Sequence, residues 1–143
     1  MKNNELLNLP KSETEYIDLA VCGAHKTGGS LNYQLLEIDA VYKSTLFTAP
    51  EYRFYALDHL DPIRPGLIKD PKNGAKIEVQ LWKVPSAQLG KFINQIGAPL
   101  SFGKITLENG TIVTSFLCES YALERAREIT SLQTWETYLE TLN

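Results

Sequence analysis

The stretch AKIEVQLWKVPSAQLGKFINQIGAPLSFGKITLENGTIVTSFLCE, residues 75–119, decides the fold. Its first ten residues place Ile77, Val79 and Leu81 opposite Glu78, Gln80 and Trp82, the period-two pattern of a strand. After Pro85, Ser86 is a candidate cap for a helix whose apolar face carries Leu89, Phe92, Ile93 and Ile96. Gly97-Ala98-Pro99 stops that helix. Two β-rich runs then flank Asn109-Gly110, the strongest short signal for a hairpin.

Working outward, residues 16–23 (YIDLAVCG) read as a strand buried on much of both faces and ended by Gly23. Residues 30–39 predict a short helix, with Ser30 as its cap. Residues 40–48 and 52–58 read as two further strands. Residues 60–74 hold three prolines and two glycines, so they predict a structured loop around a brief extended piece. The tail after residue 120 predicts helix in two pieces, with Thr130-Ser131 as the second cap. Strands predominate without regular β-α-β alternation, which excludes a doubly wound parallel sheet. The pattern predicts an α+β fold: a small mixed β-barrel with peripheral helices. It forms one domain over residues 16–143, after an N-terminal extension over residues 1–15.

The formal net charge of -3 and pI near 5.4, with scattered lysines and arginines, exclude a nucleic-acid footprint. No apolar run is long enough to span a bilayer, and the first residues lack the core of a secretory signal. A cytoplasmic protein is expected. Cys22 and Cys118 lie in apolar strand-like runs and are expected as buried, reduced thiols. Two histidines, no CxxC and no HExxH predict no metal site, and nothing predicts a cofactor.

The chemistry concentrates in residues 21–37 (VCGAHKTGGSLNYQLLE). A strand end followed by glycines and a helix start presents backbone amides that suit a carboxylate or phosphate. Gly28 and Gly29 permit close approach, Ser30 and Asn32 add hydrogen bonds, and Lys26 adds charge. His25 stands beside this nest, titrating near neutrality. The spacing matches neither a Walker A loop nor GxGxxG, and a Gly-rich connection carrying a surface histidine remains the alternative. Glu78 reads as part of a solvated face, Glu119 as a helix start and His59 as an exposed loop residue. Asp58 and Asp61 are further polar candidates. Cys22 is too embedded for a reactive thiolate, and Ser30 lacks an orienting acid.

The ordered set VCGAHKTGGSLNYQL, YRFYAL, P.RPGLI and IEVQLWKVP….GKFI..I.APLSFGKITLENGTIVTSFLCE, with a Trp…Tyr-Leu tail, resembles the C-terminal domain of allophanate hydrolases. The resemblance implies a γ-glutamylcyclotransferase-like fold. It implies that the domain receives N-carboxycarbamate from an amidase and promotes its breakdown with loss of CO2. His25 would be the general base, and Gly28, Gly29, Ser30 and Asn32 the substrate-holding loop. Pro65-Gly66-Leu67 matches a second loop that closes over the pocket. Three departures stand out: Gln80 where the family carries Glu, Ser115-Phe116 for Gly-Phe, and residues 133–136 for Gly-Gly-Trp-Arg. The last puts Glu136 in place of an arginine, where it is expected to repel an anion.

With no amidase motif in the chain, the expected partners are a small anionic substrate and a separate amidase subunit. The oligomeric state stays open. The competing reading is a non-catalytic module that binds an amidase or an anionic metabolite. A cyclotransferase acting on γ-glutamyl amines is disfavoured, because no suitable carboxylate lies near Ile96.

Overall fold

In the computed structural model, which describes residues 15–143, the alternating run 75–84 forms the strand around which the larger sheet is organised. The strands are β1 (Tyr16–Val21), β2 (Val41–Phe47), β3 (Tyr52–Leu57), β4 (Arg64–Lys69), β5 (Glu78–Pro85), β6 (Leu100–Thr106), β7 (Ile112–Cys118) and β8 (Arg127–Glu128). The helices are short: α1 (Tyr33–Leu36), α2 (Leu89–Asn94) and α3 (Trp135–Glu140), with 3-10 turns between them. The expected extension over residues 1–15 lies outside the described residues except for Glu15.

The sheet order is β2-β5-β1-β7-β6, with β4-β3-β8 forming a second sheet. All neighbours pair antiparallel except β1 and β7, which run parallel through Leu19↔Thr114 and Ala20↔Ser115. The Ser115 hydroxyl reinforces that junction by donating to the Ala20 carbonyl at 3.0 Å. The mixed α+β architecture is the expected one. The two sheets meet where β4 lies against β7, and the bridge Thr48↔Leu107, just past the ends of β2 and β6, brings the two edges of the larger sheet together. At Gly66 an added Cβ would stand 2.8 Å from Cys118 Cβ, so only glycine lets β4 approach so closely.

Strand β1 is buried on both faces because it separates two apolar clusters. Ala20 and Cys22 join Phe54, Leu67, Val79, Leu81 and Trp135 on one side. Leu19 and Val21 join Leu35, Ile38, Val84 and Phe92 on the other. Phe92 anchors α2 and is fully buried, a contribution of about 1.5–3 kcal/mol. Ile93, expected on the same face, is largely exposed, because α2 has only six residues and rests on Phe92.

Three local expectations are corrected, at Ser30, Ser86 and the tail, while the hairpin at Asn109-Gly110 forms as expected between β6 and β7. Ser30 caps no helix: the chain coils through turns until Tyr33, and α1 has four residues. Ser86 begins a 3-10 turn and makes no capping hydrogen bond. The hairpin closes through a three-residue loop, with Leu107 N donating to Thr111 O at 2.8 Å and Gly110 alone at positive φ, +87°. The tail is not two helices. It contributes β8 to the edge of β3, and α3 is capped by Thr134, whose hydroxyl accepts from Thr137 N at 3.1 Å. Thr130 instead accepts from Phe54 N at 2.9 Å, a partner supplied by the fold rather than by its own segment.

Candidate functional site

Where β1 ends, the chain winds back on itself. Lys26 N donates to Gly23 O at 2.9 Å, Gly29 N to Lys26 O at 2.8 Å and Leu31 N to Ala24 O at 2.9 Å. Asn32 N donates to Gly29 O at 3.2 Å, and its side-chain amide donates to His25 O at 2.8 Å. Glycine is required at 28 by its φ of +83°, and at 29 because a Cβ would lie 2.2 Å from Ala24 O. From the neighbouring strand, Gln80 Oε1 accepts from Thr27 N at 2.8 Å, from Thr27 Oγ1 at 3.2 Å and from Trp82 Nε1 at 3.2 Å. The amides of Lys26, Thr27, Gly29, Leu31 and Asn32 therefore hold the loop together and are not offered to a ligand.

His25 is carried inward by this winding. It is 3% exposed, with its ring 5.0 Å from Phe116 and 5.4 Å from Phe92 between centroids. Its Nε2 lies 2.7 Å from Gln34 Oε1. With a carbonyl oxygen as partner, Nε2 carries the proton and Nδ1 keeps the lone pair. Burial pushes the pKa down, and the Arg64 charge adds to this against the Gln34 bond, to about 4. The imidazole is neutral at physiological pH.

His25 opens onto a cleft with Cys22 and Ala24 from its own loop, Arg64, Pro65 and Leu67 from β4, Leu100 from β6 and Phe116 from β7. The loop and β4 are held together at Gly23, where a Cβ would meet Pro65 Cδ at 2.1 Å. The cavity is about 10 Å³, room for roughly one water. Burial holds the Cys22 thiol up at about 12, so it stays protonated. Arg64 is half-buried, its Nε donating to Pro62 O at 3.2 Å. Burial lowers its pKa, and no carboxylate lies within ion-pairing distance among the described residues.

Lys26 does not supply charge to this cleft. It is 2% exposed and its ammonium lies 2.9 Å from Glu78 and 2.8 Å from Glu136. Burial pulls its pKa down, but the hydrogen bonds with Glu136 and Glu78 outweigh this and leave it raised. Glu136 reaches the lysine because the tail docks on the start of β5. Glu78 N donates to Gln133 O at 2.9 Å, and Gln133 Nε2 donates to Lys76 O at 3.0 Å. The carboxylate expected to repel an anion is instead tied to Lys26 and does not line the cleft. Glu78, read as solvated, is the other half of the same ion triad.

Of the residues singled out from sequence, His25, Pro65 and Leu67 line the cleft. Gly66 packs on Cys118, Gly28 and Ser30 face solvent, and Asn32 holds the His25 carbonyl. Asp58 accepts from the Tyr138 hydroxyl at 2.7 Å, away from the cleft, and His59 and Glu119 do not line it. Arg64 was missed, although its dipeptide with Pro65 stands inside the quoted pattern. Cys22 and Cys118 are both free and buried. No cluster of His, Cys, Asp or Glu suited to a metal occurs among the described residues. No helix is long and apolar enough to cross a membrane among those residues.

The family model for the allophanate hydrolase C-terminal domain matches residues 17–140. Urea amidolyase of Saccharomyces cerevisiae is 34% identical over 98% of this chain, which spans 8% of that protein's length. Kluyveromyces lactis allophanate hydrolase superposes with a TM-score of 0.88 at 32% identity, covering 94% of this chain and 23% of that one. A uropathogenic E. coli-specific protein superposes at 0.82 with 29% identity, covering 87% of this chain and 96% of that one. A γ-glutamyl cyclotransferase shares the fold at 12% identity and a TM-score of 0.51, over 80% of this chain and 70% of its own.

Proposed function

This chain belongs to the allophanate hydrolase C-terminal domain family, and from that premise we propose that it is a small enzyme of urea degradation. Its substrate is a carboxylated urea- or carbamate-like anion, N-carboxycarbamate, delivered by an amidase on the same or another chain. The carrying observation is His25: a buried, neutral imidazole on the wall of a cleft, with Nε2 held by Gln34 and Nδ1 unengaged among the described residues.

A neutral imidazole is in the form a base requires. The substrate reacts as its monoanion, one carboxyl group ionised and the other still protonated, and Nδ1 takes that remaining carboxyl proton. The C–N bond then breaks, CO2 leaves, and the electron pair remains on nitrogen. The imidazolium returns its proton to that nitrogen, leaving carbamate. A basicity lowered to about 4 lies close to that of a carboxyl group, so the proton passes out and back without a deep trap. Phe116, Leu100 and Leu67 keep bulk water from the reacting atoms.

The competing reading is a module without turnover that binds an amidase or an anionic metabolite, and the water-sized cavity, which admits no substrate as it stands, favours the amidase-binding form. A dicarboxylate is several times larger than one water, so catalysis requires the loop and β4 to part. The decisive experiment supplies allophanate and a separate amidase, and follows CO2 and ammonia release with the wild type and with His25→Ala. Loss of CO2 release in the variant, with folding intact by circular dichroism, is the expected result. Unchanged turnover in the variant overturns the assignment, and tight binding by a wild type that never turns over establishes the module.

A further inference from the structure

The winding of residues 23–32 engages the amides of Lys26, Gly29, Leu31 and Asn32 within the loop and that of Thr27 on Gln80, so the loop offers no charge of its own to a carboxylate entering the cleft. Lys26 is engaged by Glu78 and Glu136, and Cys22 is a protonated thiol. What remains charged on the cleft wall is Arg64. Its Nε is held by the Pro62 carbonyl at 3.2 Å, which fixes the plane of the guanidinium and leaves both terminal nitrogens without a carboxylate among the described residues.

We infer that Arg64 is the anion-holding residue of this cleft and takes a single carboxylate of the ligand through its two terminal nitrogens, facing His25. The inference rests on the cleft proposed above and names the ligand class it selects. A half-buried guanidinium without a counter-ion is a standing cost unless an anion meets it, and its planar fork matches a carboxylate with two parallel hydrogen bonds. Pro65 follows directly and packs where Gly23 lacks a Cβ, so the arginine's backbone is located against the His25 loop by contact. One free cation serves one carboxylate. The second anionic group of a dicarboxylate therefore finds no matching charge on this wall, and small planar monocarboxylates should bind nearly as well as malonate.

The test is a titration of the ¹⁵N-labelled full chain with sodium formate and with malonate, at constant ionic strength against sodium chloride. Arg64 Nε–H and the His25 ring signals are the reporters. Both carboxylates should shift these signals in the wild type. Malonate should gain no more than the statistical advantage of two equivalent ends. Arg64→Gln should weaken binding by roughly tenfold or more, and Arg64→Lys should retain part of it. His25→Ala should still bind carboxylate at Arg64. Equal formate binding by wild type and Arg64→Gln, or no shift in the wild type, overturns the inference. Its failure is distinct from failure of His25 as the base, because the first is read in binding and the second in CO2 release.

Discussion

Removing charge from the two ends of the Lys26 triad should have unequal consequences, and the inequality follows from where each group sits. The Lys26 side chain is 2% exposed, whereas those of Glu78 and Glu136 are 26% and 54% exposed. Glu78→Gln with Glu136→Gln keeps the shape and strands a buried ammonium, which should cost about 3–5 kcal/mol. Lys26→Met removes the ammonium and leaves two partly hydrated carboxylates, which water screens, so about 1–2 kcal/mol is expected. Alkaline titration separates the two cases by sign. In the wild type the lysine's folded pKa is raised above 10.5, so its contribution is full below that value and is lost as pH rises through the folded pKa. In the double variant burial acts alone and depresses the folded pKa, so stability should instead rise as the pH approaches 10.5 and the lysine sheds its proton. Urea denaturation across that range measures both slopes. A double variant no less stable than Lys26→Met, or slopes of the same sign, would refute the picture of a buried cation held by its two carboxylates.

His25 titrates well below its ordinary 6.5 in the fold, so the stability from keeping it neutral is full above that value. It is lost as the pH falls through 6.5 toward about 4, up to roughly 3 kcal/mol by urea denaturation. His25→Asn, which does not titrate, should flatten that slope, and a slope unchanged in the variant rules the histidine out as its source. Gly23→Ala should cost about 1–3 kcal/mol, because its Cβ enters the Pro65 ring; a thermal melt as stable as the wild type would show that β4 moves freely there. Cys22, with its thiol near 12, should resist iodoacetamide at pH 8 until urea unfolds the chain, and rapid labelling of the native protein would contradict its burial.

The strands were legible because their side chains obey a period that burial enforces. Leu19 and Val21 face one cluster while Ala20 and Cys22 face the other, and Val79 and Leu81 repeat the pattern in β5. The short helices and the tail were not, because their conformation is set from outside. Two residues, Arg127 and Glu128, become a strand only against the exposed edge of β3. Gln133 takes a left-handed φ of 63° while its carbonyl receives Glu78 N. In the site, His25 was legible from its Gly-rich surroundings and from the family pattern. The partner of Lys26 was not, since Glu136 lies 110 positions away with no local signal. Arg64 was hidden for a related reason: with Pro62 and Pro65 close by, its segment read as a structured loop around a brief extended piece, and only the apposition of β4 and the His25 loop brings it to the cleft.

That 110-residue separation has a consequence for biosynthesis. Translation runs from the N-terminus, so Lys26 emerges when neither of its carboxylates has been made. Until they arrive its ammonium stays in water, and the winding around His25 lacks the anchor that draws the lysine inward. Contacts this distant in sequence carry a large closure cost and are among the last to form. The helix Trp135–Glu140 brings Trp135 and Tyr138 to the core and Glu136 to the lysine together. The Lys26 triad beside the His25 loop therefore closes only after residues 135–140 have been made and docked.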